Sequence, residues 1–169
     1  MSVRSPENIL LYLPPEQEAQ VRAVFADLAK LGLPQQFQRP HITITFAQSM
    51  STEAVQVAAQ LLPEVIPAEF TRAGTVIFGT RSKQTVTWLL ETSDEMHHVA
   101  REISAANPDG RGKQWIPHLT VGLRIPRAQV PEYVAGLEKV TPTRFKQLTA
   151  ARAGWWRPSV QEYTALAES

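Results

Sequence analysis

Two segments of the chain, Pro40-His41-Ile42-Thr43 and Pro117-His118-Leu119-Thr120, carry the same His-x-Thr pattern 77 positions apart, in a sequence with only 4 histidines. An imidazole titrates near pH ~6.5, so around neutral pH one histidine can stay neutral while a neighbour is protonated, and the pair then serves as base and acid. If each motif lies on a strand, the threonine shares the histidine's face about 6.5–7 Å further along, where its hydroxyl can donate to an anionic oxygen. Facing a single substrate, the two motifs suit in-line displacement at phosphorus: base on the incoming nucleophile, acid on the leaving oxygen, hydroxyls on the non-bridging oxygens. That chemistry calls for no cofactor and no metal. Two histidines without further ligands at metal-binding spacing fall short of the usual three or four protein ligands of a metal site.

The composition narrows the classes. A chain of 169 residues, 43% of them hydrophobic, is long enough for one domain with a sizeable core. No apolar run reaches the roughly 18–20 residues of a membrane span, and Met1-Ser2-Val3-Arg4-Ser5-Pro6 lacks the apolar stretch of a signal peptide. The expectation is a soluble, cytoplasmic monomer without a membrane partner. With Cys 0, disulfides, thiolate metal sites and a cysteine nucleophile are excluded. A net charge of +1 argues against coating long nucleic acid and favours a short or terminal target. The basic residues are uneven, however: Arg111, Lys113, Arg124 and Arg127 fall in the stretch from Gly110 to Pro131, which holds no Asp or Glu and brackets His118. Such a local positive field suits an anionic substrate, with a solvated basic loop as the plain alternative.

The elements that must position these residues follow from periodicity. Ile9 to Leu13 reads as a strand, and Val21, Val24, Phe25 and Leu28 as the stripe of a helix ended by Gly32 and Pro34. From His41 to Phe46 the alternation is strict, so Ile42, Ile44 and Phe46 are expected in the core and His41, Thr43 and Thr45 on the opposite face. Ser51 or Ser49 caps a second helix, stopped by Pro63 and Pro67, and a strand runs from about Phe70 to Phe78. Thr85 to Glu91 is the next strand. Thr92-x-x-Glu95 reads as a capping box for a helix buried through Met96, Val99, Ala100 and Ile103 and closed by Asn107-Pro108-Asp109-Gly110. His97-His98 falls on that helix as a wet face. His118 to Leu123 repeats the motif strand, with Leu119, Val121 and Leu123 inward, then come a helix near Pro131 to Val140 and strands near Phe145 to Trp156 and Val160 to Leu166.

Shifting the first half by 77 positions lays strand on strand and motif on motif, with Ile9 and Leu11 landing on Val86 and Trp88. The expected fold class is α+β: a bilobal, pseudo-twofold duplication of strand-helix-strand-helix-strand units around a central cleft, the first repeat over about 7–80, the second over about 84–157, and a closing strand over about 159–167 of a single domain, 1–169. A strand, one helix and another strand usually make a right-handed parallel crossover, so that connection is expected in each unit. The motif strands then turn their His and Thr faces toward each other. Arg124 falls on the cleft face by alternation, where it can balance phosphate charge. Trp115, close before His118, and Trp156 are the candidates to stack a nucleobase.

The segments Arg39-Pro40-His41-Ile42-Thr43-Ile44-Thr45-Phe46 and Pro117-His118-Leu119-Thr120-Val121-Gly122-Leu123-Arg124 resemble the paired motifs of the two-histidine phosphoesterase superfamily, and within it the bacterial and archaeal RNA 2′,3′-cyclic phosphodiesterases, also called 2′-5′ RNA ligases. Ile9-Leu10-Leu11-Tyr12-Leu13-Pro14 and Tyr163-Thr164-Ala165-Leu166-Ala167 are similar to theirs as well. Where many relatives follow the first motif with a Leu-Gly pair, this chain reads Phe46-Ala47-Gln48-Ser49. The resemblance implies a bilobal fold and metal-independent opening of 2′,3′-cyclic phosphates to 2′-phosphates, at RNA ends or on nucleotides, with reversible 2′-5′ ligation of RNA ends in some relatives. It implies a catalytic pair, His41 and His118, and phosphate-binding Thr43 and Thr120. The alternatives are a non-catalytic binder of RNA ends or nucleotides, and the same chemistry on a small metabolite such as an ADP-ribose cyclic phosphate.

Overall fold

The computed structural model describes residues 5–168; residues 1–4, part of the opening Met1–Pro6 segment, lie outside the described residues. In chain order the elements are β1 (Glu7–Tyr12), α1 (Pro15–Lys30), β2 (His41–Ala47), α2 (Thr52–Val65), β3 (Ala68–Phe78), β4 (Lys83–Thr92), α3 (Asp94–Ala105), β5 (His118–Pro126), α4 (Val130–Val140), β6 (Gln147–Ala150), β7 (Arg152–Arg157) and β8 (Glu162–Glu168). The strands form one 8-stranded sheet in the order β6-β3-β4-β5-β2-β1-β7-β8. The class is α+β, as the sequence indicates. Among the described residues no helix is long and apolar enough to cross a membrane.

The connections differ from the parallel crossovers expected. Every neighbouring pair is antiparallel, β1 against β2 included. Between β1 and β2, α1 leaves to the other side of the molecule: it packs on α4, and its Gln17 accepts from the Thr149 backbone N–H of β6 and donates to the Thr149 hydroxyl. A helix that does not cover its own two strands imposes no crossover on them, so they pair as neighbours. Helices α2 and α3 pack together, α2 against β8 and α3 against β2.

The apolar stripes are buried where periodicity puts them: Val21, Val24, Phe25 and Leu28 of α1, and Met96, Val99, Ala100 and Ile103 of α3. Ile9, Leu11, Val86 and Trp88 all lie in the core. Three boundaries move. Pro63 sits inside α2, which runs on to Val65. The cap of α3 is Ser93, whose hydroxyl accepts from the Met96 N–H, because Thr92 still belongs to β4 and donates to the Glu69 carbonyl. The strand expected from Phe145 to Trp156 is two strands parted at Ala151. β6 pairs with β3 and β7 with β1, at opposite ends of the sheet order, and the Ala151 N–H bonds the Tyr12 carbonyl at the switch.

Two departures from alternation matter for the cleft. The register of β1 on β2 pairs Leu10 with Thr43 and Ile9 with Thr45, leaving Ile44 as the extra residue of a bulge. Beyond it the faces exchange: Thr45 is buried and Phe46, expected in the core, is 58% exposed. In β5 the register against β4 shifts twice around Val86, Gly122 and Val121 are both buried, and Leu123, expected inward, is 46% exposed.

Candidate active site

β2 and β5 are adjacent at the centre of the sheet, and the one residue pair registered between them is Ile42 with Leu119. Both side chains are fully buried, so the residues flanking them turn to the other face. Continuing the antiparallel register by one residue each way sets His41 across from Thr120 and Thr43 across from His118. Cross-strand neighbours have Cβ atoms about 4.5–5.5 Å apart and diagonal ones about 7–8 Å. The two imidazoles thus stand diagonally, with the hydroxyls on the other diagonal. Residues remote in sequence meet because β2 and β5 are sheet neighbours.

Each ring is anchored in the same way. His41 Nδ1 lies 2.7 Å from the Arg39 carbonyl oxygen, and His118 Nδ1 2.6 Å from that of Ile116. A carbonyl only accepts, so Nδ1 carries the proton in both rings and Nε2 is left to exchange protons with a ligand. The proline shared by the motifs accounts for this geometry. Pro40 and Pro117 hold the residue before them in the extended region, fixing the carbonyl that each ring meets. Arg39 is itself held, its guanidinium 2.7 Å from Glu18 and stacked 3.7 Å over the Tyr12 ring.

Both rings are harder to protonate than a free imidazole. For His41 burial is the main cause, opposed by the bond to the Arg39 carbonyl and reinforced by the charges of His118 and Arg39. For His118 burial again leads, opposed by the Ile116 carbonyl and reinforced by Arg111. Phe78 flanks the second ring, 5.0 Å between centroids. At neutral pH both rings of the free protein are therefore predominantly neutral, with Nε2 unprotonated.

Cavities open beside the motif strands. One, of about 360 Å³, is lined by His41, Asn8, Tyr12, Gln38, Arg39, Trp156 and Tyr163 among others. Tyr12 and Tyr163 are 5.5 Å apart between centroids, and the Tyr163 ring occupies the space a Cβ on Gly154 would need. Another, of about 100 Å³, is lined by residues that include Thr43, Phe46, Arg111, Trp115 and His118. It lies under the segment between α3 and β5, which is tied down by Asn107: its side-chain amide donates to Thr45 Oγ1 at 2.8 Å and to the Phe46 carbonyl at 3.0 Å, and its oxygen accepts from the Asp109 N–H at 3.1 Å.

Trp156 thus lines the cavity that holds His41, whereas Trp115 is only 8% exposed. The Trp115 indole donates to the Thr43 carbonyl at 2.9 Å and meets Phe70 and His97 edge to face, which makes it a support for β2. That contact also covers part of His97, read from sequence as a wet face. Arg124 is exposed with φ +54°, past the first register shift of β5 and within the second, so the alternation that placed it on the cleft face is broken before it. Within the basic run, Arg111 lines a cavity with His118, while Lys113 pairs with Glu102 at 3.4 Å. Asn8 and Asn107 escape sequence reasoning. The signal for Asn8 is an amide directly before the apolar run Ile9–Leu11 of β1, and Asn107 reads simply as a turn residue. Among the described residues no group of three or more His, Cys, Asp or Glu side chains gathers as a metal site.

No curated protein sequence matches the chain at a significant level. Among solved structures it is similar to Kluyveromyces marxianus Usb1, with a TM-score of 0.54 and 10% sequence identity over 96% of this chain and 98% of that one. It is likewise similar to the same organism's Usb1 with uridine monophosphate, with a TM-score of 0.52, 9% identity and the same coverage. At such identities the likeness is one of fold. The family model of the 2′-5′ RNA ligase superfamily matches residues 13–151, which span both motifs and the sheet centre joining them. The chain belongs to the 2′-5′ RNA ligase superfamily of two-histidine phosphoesterases.

Proposed function

We propose that this protein is a metal-independent phosphodiesterase that opens 2′,3′-cyclic phosphates, at RNA ends or on nucleotides, to 2′-phosphates. The observation that carries it is the Ile42–Leu119 pair, which brings both His-x-Thr motifs to one face of the sheet centre. One imidazole takes a proton from water through Nε2 as the water oxygen bonds to phosphorus. The phosphorus–O3′ bond breaks, and the other histidine, protonated, gives its proton to the departing oxygen. Thr43 and Thr120 donate to the non-bridging oxygens, where negative charge accumulates. A 5′-hydroxyl attacking phosphorus in place of water, with the same P–O3′ bond broken, would give a 2′-5′ linkage, and the near-symmetric setting of the rings lets them exchange roles to cleave that linkage back to the cyclic phosphate. Trp156 and the tyrosines beside His41 offer flat apolar surface for the nucleobase attached to the ring. The chemistry of the donor set, two imidazoles and two hydroxyls, supports a route without metal.

The test is incubation with a panel of nucleoside 2′,3′-cyclic phosphates and of oligonucleotides ending in one, with the product scored as 2′- or 3′-phosphate, in EDTA and without it. We expect the 2′-phosphate at the same rate in both. A complex without product would favour a binding protein, and loss of rate in EDTA would overturn the metal-independent route.

A further inference from the structure

The hydroxyl of Thr43 has a partner already. Asn8 Nδ2 lies 3.1 Å from Thr43 Oγ1, in the donating sense. From this we infer that Asn8 is a positioning residue, which presets the Thr43 hydroxyl as a hydrogen-bond donor to the bound phosphate; the inference rests on the role proposed for Thr43. A threonine hydroxyl has one proton and two lone pairs. Left alone in a strand, it turns its proton to whichever carbonyl is near. Once an amide N–H occupies a lone pair, the proton points elsewhere, and on the cleft face that leaves the ligand. A phosphate oxygen needs a donor there, so Asn8 fixes the useful orientation before the substrate arrives.

The rest of the environment agrees. Asn8 is clamped in two ladders, opposite Phe46 on β2 and Trp156 on β7, and it lines the cavity with His41. Asparagine is disfavoured in strands, and its Oδ1 is enclosed without a partner. An enclosed orphan acceptor is costly, so an apolar residue would serve the strand better unless the amide had a use. The second motif is built otherwise. Thr87, the β4 residue opposite Thr120, has its hydroxyl committed to the Val76 carbonyl at 2.9 Å, whereas Leu10, opposite Thr43, offers no polar group and Asn8 reaches that hydroxyl from the neighbouring position.

A double-mutant cycle on the full chain tests this, with two readouts: affinity for uridine 2′-monophosphate by calorimetry, and kcat/KM for uridine 2′,3′-cyclic phosphate. Asn8→Asp, whose carboxylate takes the Thr43 proton and adds negative charge, should weaken both by about tenfold or more. Asn8→Leu, similar in size and at home in a strand, should weaken both several-fold while keeping the fold. In a Thr43→Val background Asn8→Leu should change neither readout by more than about twofold. An equal effect of Asn8→Leu with and without the Thr43 hydroxyl would overturn the inference. Binding without ring opening in the unaltered chain would sink the proposed activity alone, with the affinity cycle still deciding for Asn8, and absence of both would overturn the two together.

Discussion

His41 stands diagonally across the Ile42–Leu119 pair from His118, each ring tied through Nδ1 to the carbonyl two residues before it. Backbone carbonyls therefore orient both rings, and burial lowers the proton affinity of both. The reactive form needs one ring neutral and the other protonated, so kcat/KM against pH should be bell-shaped, its maximum midway between the two apparent pKa values of the free enzyme. Since both values lie below the ordinary ~6.5, the maximum falls below that pH and the rate declines as pH rises through neutrality. In kcat the maximum should move upward, because a bound phosphate anion favours imidazolium. A kcat/KM maximum well above pH 7 would contradict a downward shift of both imidazoles.

Trp156 shares the 360 Å³ cavity with His41. If that surface stacks the nucleobase, Trp156→Ala should raise KM for a nucleoside 2′,3′-cyclic phosphate by about tenfold, a stacking loss of ~1–3 kcal/mol, with a smaller change in kcat. Steady-state kinetics decide it, and an unchanged KM would place the base elsewhere.

Asn107 is buried, and two of its three side-chain bonds tie the segment before β5 to β2, the third holding that segment's own turn. Asn107→Ala leaves Thr45 Oγ1 and the Phe46 carbonyl short of a donor, so a loss of about 2–3 kcal/mol is expected in urea unfolding. A change under about 0.5 kcal/mol would show that water replaces the amide freely.

Gly122 leaves room for Tyr133, whose hydroxyl bonds the Val121 carbonyl at 2.5 Å. A Cβ at Gly122 would lie 2.6 Å from Tyr133 Cε1. Gly122→Ala should therefore cost about 1–3 kcal/mol by overpacking, and Gly122→Ala with Tyr133→Leu should recover part of it in thermal unfolding.

Much of this architecture is legible in residue types. The helix stripes show because a surface helix buries one face at a 3.6-residue period, and the motif strands because period-2 alternation separates Ile42 from His41 and Thr43. What escapes are features that local pattern does not encode. The Ile44 bulge reverses faces and sends Phe46 out, yet no residue type announces it. The switch at Ala151 depends on which strands Gln147–Ala150 and Arg152–Arg157 find, a matter of long-range pairing. Strand order, and with it the meeting of His41 and His118, follows in the sequence only from symmetry. At Arg124 a shifted register combines with a left-handed backbone, so alternation no longer assigns the face of its side chain.

The central claim is that His41 and His118 act as a unit on one phosphorus. The most direct measurement is the turnover number for a nucleoside 2′,3′-cyclic phosphate in His41→Ala, His118→Ala and the double variant, each checked for native circular dichroism. Each single change should lower kcat by about 10²–10⁴-fold, and the double variant should be little worse than either, as for groups that act together. Near-normal turnover in either single variant, or losses that simply multiply in the double, would contradict the account.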